Sequence, residues 1–416
     1  MMKKMLLLCF IFLILFPINF VNADSTEDFH VKAKSAIAFD VSTGKVLYQK
    51  NEKEVLPVAS LSKVLTTYLV YKEVKSGKLS WDTPVTISNY PYELTTNYSI
   101  SNVPLDARQY TVKELLNAVL VTNANSAAIA LAEKISGTEP RFVELMTKQL
   151  KEWGIKDAKL VNATGLSNAI LGDHIYPHST SDDENQMSAL DLAIVSNHLL
   201  SEFPEVLKQT QKASATFSNQ KIFSYNYMLK GMPNYREGVN GLFVAYSEKS
   251  GASFLASSTE NNMSVVTVVL NAEQSNEEEL WHFRETNTLL NYISNHFEPV
   301  ILLEKGKKVP KAKLNLLDGK QKSVNLIAKK NLIGIRKIGS QDGDSVTIDY
   351  KNKRTFAPVK RNEALARASF NDKEIIGTGY LDKTPTISLG AAKDVQKSFF
   401  LKVWWNHFVN YVNTKL

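Results

Sequence analysis

Pro57-Val58-Ala59-Ser60-Leu61-Ser62-Lys63-Val64-Leu65-Thr66 is a proline-led loop that turns into an apolar, helix-forming run. It sets Ser60 and Lys63 three residues apart. Positions i and i+3 share one face of a helix, so the Lys63 amine falls within reach of the Ser60 hydroxyl. A serine hydroxyl is a weak nucleophile at neutral pH and needs a neighbouring base. A lysine serves when burial or nearby cations lower its pKa. Taken alone, the same residues also describe an ordinary helix start, with Ser60 as cap and Lys63 as a solvated charge. The rest of the chain decides between the two.

The chain has 416 residues, enough for two or three domains and one large core. Its net charge is +7, but no run is dense enough in Lys and Arg to form a nucleic-acid groove. Such a balance suits an anionic wall or membrane surface. Lys3 and Lys4 precede an apolar run over 5–16, and Val21-Asn22-Ala23 closes it with a small residue. Residues 1–23 therefore read as a signal peptide, with Asp24 starting the exported chain. The single cysteine, Cys9, lies inside the apolar run and not after it, which argues against lipidation. An exported chain of this size without disulfides points to a bacterial protein stabilised by its cores.

Residues 35–50 read as a hairpin around Asp40-Val41-Ser42-Thr43-Gly44. A helix follows Ser60 and stops near Gly77. Thr111-Val112-Lys113-Glu114 is a capping box opening the next helix. Its pattern breaks at Thr122-Asn123-Ala124-Asn125 and resumes as a second helix to Gly137. Asn162-Ala163-Thr164-Gly165-Leu166 reads as a turn. His174 and His178 have no metal-ligand partner at a useful spacing and read as surface residues. A helix begins at Ser188, strands cover 238–254 and 265–271, and a helix spans 277–296. Val265-Val266-Thr267-Val268-Val269-Leu270 has the composition of a buried central strand. From about Pro299 short alternating segments appear, among them 324–328, 345–350 and 375–381. Asp318-Gly319 and Asp342-Gly343 mark turns between such segments, as in a small all-β domain. The Lys-rich stretch 305–313 reads as an exposed link. In the tail, Phe400, Leu401, Trp404, Trp405, Phe408, Val409, Tyr411 and Val412 share one half of a helix at about 100° per residue. The preferred reading is a helix lying in a membrane interface, and the alternative is a helix docked on a domain core.

The set of Ala59-Ser60-Leu61-Ser62-Lys63, Asn123-Ala124-Asn125 between two helices, a β-rich second part and an amphipathic tail resembles the low-molecular-mass penicillin-binding proteins. These are the serine-type D-alanyl-D-alanine carboxypeptidases of bacterial walls, and the Gram-positive, streptococcal-like branch fits best. The resemblance implies an α+β fold: a penicillin-recognising, β-lactamase-like domain over 24–297, a β-rich domain over 298–389 and an anchor helix over 390–416. It implies a peptidoglycan stem peptide as substrate, β-lactams as weak ligands, no metal and no cofactor, and a place on the outer face of the cytoplasmic membrane. Three motifs carry the chemistry of this class: S-x-x-K, S-x-N and K-T-G. By resemblance Ser60 is the acylated nucleophile, Lys63 its base, and Asn125 a partner of both substrate and Lys63.

The chain departs from this pattern twice. Asn123 stands where the family's serine helps return a proton to the leaving group, and an amide cannot relay a proton as a hydroxyl does. Phe243-Val244-Ala245-Tyr246 stands where the family has Lys-Thr-Gly-Thr, with Glu248-Lys249-Ser250-Gly251 following in register. Phe243 and Tyr246 thus fall at the expected substrate-carboxylate site, where Phe243 brings no charge and Val244 and Tyr246 bond a carboxylate poorly or at a different reach than the family's threonines. The oxyanion hole needs only backbone N–H groups, here those of Ser60 and Tyr246. Two function classes follow: a carboxypeptidase of weak or altered activity, or a silent homologue that binds the wall or a partner protein.

Overall fold

A computed structural model describes residues 29–274, 280–340, 345–352 and 355–415. The expected signal peptide and the Asp342-Gly343 turn lie outside them, as does the expected start at Glu277 of the helix before the β-rich part.

The sequence of Ala33–Asp40 is apolar on both faces because helices cover both. It belongs to a five-stranded antiparallel sheet in the order Val46–Lys50, Ala33–Asp40, Met263–Ala272, Gly251–Glu260, Val239–Ser247. Met263–Ala272 is central, as its composition predicts. Its alternate residues Val266, Val268 and Leu270 join the main core with the Lys63–Lys75 and Ala189–Glu202 helices. The opposite face carries the Trp281–His296 helix, where Phe283 meets Phe254 edge-on at 5.2 Å. The expected capping box forms at Thr111 with Glu114, and a second one opens the helix that begins after Ser188, with Asp191. The helices Val112–Thr122 and Asn125–Ser136 are joined at Asn123-Ala124, and Asn123 takes the left-handed conformation (φ 60°) that asparagine tolerates.

The Trp281–His296 helix runs straight into strand Phe297–Leu303, which pairs with Leu332–Lys337. A six-stranded sheet follows, ordered Val346–Tyr350, Ala364–Phe370, Thr386–Ala391, Ser323–Ala328, Lys308–Leu317, Thr355–Phe356. It has its own core around Leu314, Leu326, Ala366 and Leu389. Two expectations fail here. The stretch 305–313 is not a link, because Lys308–Leu317 alternates buried and exposed residues as a sheet strand. The alternating segment 375–381 is not a strand. Its backbone groups pair outside any sheet: Val46 N–H donates to Gly379 O, and Leu381 N–H donates to Gly44 O. Gly377 lies so close to Gln49 that a Cβ would sit 1.7 Å from that side chain, at φ +50°. This loop therefore docks on the first hairpin. Beneath it Lys45 Nζ meets Asp372 Oδ2 at 2.8 Å and donates to Ile335 O at 2.8 Å. Tyr380 Oη donates to the same Asp372 oxygen at 2.7 Å.

The tail helix Phe400–Lys415 leaves its aromatic face uncovered, with Phe400, Trp404 and Trp405 each more than half exposed. His407 Nε2 touches Asp318 Oδ2 at 2.9 Å. No helix among the described residues is long and apolar enough to cross a membrane.

Candidate active site

Ser60 sits in a single tight turn, Ala59–Ser62, ahead of the Lys63–Lys75 helix. Ala59 enters this turn at φ 41°, an unusual value for a residue with a Cβ. Its carbonyl lies against Gly165, where a Cβ would come within 1.8 Å of the oxygen. Glycine is thus required at 165 by close backbone approach as well as by its own φ of +79°. The solvated-lysine reading of Lys63 fails. The residue is fully buried, its Nζ donates to Ser60 Oγ at 2.8 Å, and it donates to the Thr164 carbonyl at 2.9 Å. Burial lowers its pKa to about 7. A neutral amine beside a hydroxyl can accept that hydroxyl's proton.

The 162–166 turn is held from several sides. Asn162 Oδ1 accepts from the backbone N–H groups of Thr164 and Gly165. Glu139, buried at the start of its helix, accepts from Ala163 N–H at 2.8 Å and from Tyr90 Oη at 3.0 Å. Burial raises the Glu139 carboxyl to about 7, against the lowering effect of those two bonds. Asn185 Nδ2 donates to Ser62 Oγ at 3.0 Å and to Asn162 O at 2.9 Å, tying this turn to the serine turn. None of Thr164, Glu139 or Asn185 is legible as a site residue in the sequence. Thr164 acts through its carbonyl, which every residue type has.

Asn123 and Asn125 are both drawn to the site, in roles other than those expected. Asn123 Nδ2 donates to the Val244 carbonyl at 2.9 Å, so its amide ties the helix junction to the edge strand. Asn125 does not bond Lys63. Its Nδ2 donates to Ser101 O at 2.8 Å, and its Oδ1 is buried without a partner. Asn123 Oδ1 is likewise buried and unpaired.

The edge strand Val239–Ser247 passes beside Ser60. Phe243, expected at the substrate, is 2% exposed and packs in the main core with Leu242 and Ala245. A phenyl ring gains by burial where a lysine would need a charged partner. Tyr246 is 73% exposed. It lines a cleft of about 460 Å³ with Ser60, Gly165, Leu166, Glu184 and Ser247. The arrangement brings together the Ser60 hydroxyl, a lysine amine of lowered pKa and an open cleft.

Comparison with known proteins agrees with this architecture. Residues 21–274 match the family model described as D-alanyl-D-alanine carboxypeptidase, and 297–397 match the penicillin-binding protein 5 C-terminal domain. The fold and these matches define a penicillin-binding protein with an all-β second domain. The chain belongs to the D-alanyl-D-alanine carboxypeptidase family, among its low-molecular-mass penicillin-binding members. It is 28% identical to the D-alanyl-D-alanine carboxypeptidase DacF of Bacillus subtilis (strain 168) over 413 residues, covering 96% of each chain. Among solved structures it resembles a peptidoglycan synthesis regulatory factor (PBP3) from Streptococcus pneumoniae. That match has a TM-score of 0.84 and 43% identity, covering 88% of this chain and 100% of the other. Penicillin binding protein 5 from Haemophilus influenzae matches with a TM-score of 0.70 and 25% identity, covering 90% of this chain and 100% of the other.

Proposed function

We propose that this chain is an exported serine carboxypeptidase of low activity, acting on D-alanyl-D-alanine ends of peptidoglycan stem peptides through an acyl-Ser60 intermediate. The observation that carries the reading is the buried Lys63 amine, 2.8 Å from the Oγ of Ser60, which itself lines the cleft. Lys63 takes the Ser60 proton while Oγ adds to the carbonyl of the penultimate residue. The N–H groups of Ser60 and Tyr246 stabilise the oxyanion. The C–N bond breaks, the terminal D-alanine leaves as the amine with the proton, and water hydrolyses the ester. Tyr246 lines the substrate's path, and Asn125 supports the neighbouring loop through Ser101. Asn123 holds the strand and relays no proton. β-Lactams acylate the same serine, weakly, because the cationic carboxylate site is missing.

Acylation of Ser60 by a fluorescent penicillin, followed by intact-protein mass spectrometry, tests this. Labelling is expected to be slow and to vanish in Ser60→Ala. Lys63 is a base only when neutral. The rate should therefore fall about tenfold per pH unit below about pH 7 and level off above it. A profile flat from about pH 6 to 8 would remove Lys63 from the role.

The 1–23 leader and the uncovered aromatic face of Phe400–Lys415 support a place on the outer face of the cytoplasmic membrane. In this reading 24–297 is the catalytic part, 298–389 a stalk and 390–416 the anchor. Deleting 397–416 is expected to release the protein to the medium. A truncated chain that still sediments with membranes would refute the anchor.

A further inference from the structure

The charge of this chain is divided unevenly. Residues 298–397 hold 21 Lys and Arg against 11 Asp and Glu, a net +10, so the remainder of the +7 chain carries −3. Nine of those lysines fall between 305 and 330, against Asp318 alone. All nine are exposed, and none forms an ion pair among the described residues. Strand Lys308–Leu317 turns Val309, Ala312 and Leu314 to the core and leaves Lys308, Lys311 and Lys313 outside. Lys308 pairs with Ile327, which brings Lys329 and Lys330 beside Lys305 and Lys307 at the start of this hairpin. There Lys305 N–H donates to Asn331 Oδ1 at 2.8 Å. Asn331 in turn lines a cleft of about 510 Å³ with Arg367, Lys383 and Thr384. No carboxylate and no aromatic ring among the described residues lines that cleft. Asp349 stands opposite Arg367 on the neighbouring strand, yet neither forms an ion pair among the described residues. Like charges gathered without partners raise the local potential, and an anion relieves it.

We infer that this basic surface, from the cleft along the hairpin, binds a linear phosphodiester polymer. Arg367 offers a planar fork that suits a phosphate. Asn331 Nδ2 offers a further donor, its Oδ1 being already taken. The lysines of a 10-residue strand, about 33 Å long, then follow the line of charges. With no ring in the cleft to stack on, the site reads a polymer backbone and not nucleobases. A membrane fits less well. The tail helix joins the opposite end of the hairpin, where Ser398 N–H donates to Asp318 O at 2.7 Å. A charged surface meeting that end acts over about 8 Å at physiological salt and does not reach the cleft. The inference is independent of the chemistry at Ser60.

The test uses the full chain and a fluorescent poly(glycerol phosphate) long enough to span the strand, with binding read by anisotropy. Affinity is expected to fall about tenfold or more between about 0.05 and 0.2 M salt, because each phosphate contact releases a counterion. Lys308→Gln, Lys311→Gln and Lys313→Gln together should weaken binding about tenfold or more at about 0.1 M salt. Arg367→Gln with Lys383→Gln should weaken it separately by about fivefold or more. Lys148→Gln, Lys151→Gln and Lys156→Gln together remove the same charge from exposed positions of the first domain and should change it less than about twofold. All these side chains are exposed, and the urea midpoint of each variant checks its folding, so a defect in one set leaves the other decisive. No binding of the polymer overturns the inference. An equal loss in the Lys148 set does so too, because net charge alone would then explain the binding. Binding confined to vesicles containing phosphatidylglycerol also overturns it and makes the surface a lipid contact.

Discussion

Replacing Phe243-Val244-Ala245-Tyr246 with Lys-Thr-Gly-Thr is expected to speed acylation of Ser60 by about a hundredfold or more. Penicillins and D-alanyl-D-alanine peptides both present a carboxylate beyond the reacting carbonyl. The family's lysine and threonines hold that group with charge-assisted bonds, each worth about 1.5–3 kcal/mol. Two such bonds, at about 1.4 kcal/mol per tenfold in rate, give the expected factor. The structure adds a condition. Phe243 is buried in the main core, so a lysine introduced there needs a polar partner. Adding Asn123→Ser restores the family's hydroxyl and should raise the rate further, although it gives up the tether to Val244. The measurement is acyl-enzyme formed against time, for the natural and the restored chains. A natural chain that acylates as fast as the restored one would show that the third motif is not limiting. Two folded but unreactive chains would favour the silent, wall-binding homologue.

Lys45→Met is expected to destabilise the protein by about 3–5 kcal/mol. Lys45 and Asp372 are 1% and 3% exposed, so the substitution leaves a carboxylate in a dry site. Its remaining bonds, from Tyr380 Oη and Glu374 N–H, do not supply the lost charge. An exposed pair would cost at most about 1 kcal/mol, because water and salt screen it. Urea unfolding of Lys45→Met, of Asp372→Asn and of the double variant measures the pair. The double variant should be more stable than the sum of the two single losses predicts, since it removes the orphaned charge. Losses under about 1 kcal/mol would mean that the loop of residues 371–381 opens to water. The pair lies between the first hairpin and the β-rich part, so its loss should also loosen that junction and expose the loop to protease.

The sequence alone was enough for the fold class, the serine–lysine pair and the missing third motif. Each is local or periodic. Ser60 and Lys63 are one turn apart on the chain. The capping box at Thr111 is a four-residue pattern, and the Met263–Ala272 strand announces its two covered faces by its composition. The substitution at 243–246 is legible because the residues after it stay in register. The docking loop at 375–381 misled the reading, because an alternating pattern does not say whether the partner is a sheet neighbour or another domain.

The tertiary structure alone decided what each group touches. Burial turns Lys63 from a solvated cation into an amine of lowered pKa, and burial depends on elements more than a hundred residues away. The Thr164 carbonyl that receives Lys63 belongs to the backbone, which carries no sequence signal. Phe243 moved from an expected substrate contact into the core, because an apolar ring on an edge strand goes wherever it can be covered. Asn123 and Asn125 look alike in sequence, yet one bonds the edge strand and the other bonds Ser101. Lys45 and Asp372 are 327 positions apart in the numbering and form a 2.8 Å pair. Such pairings follow from how the domains close on each other, a property of the whole chain that no local pattern carries.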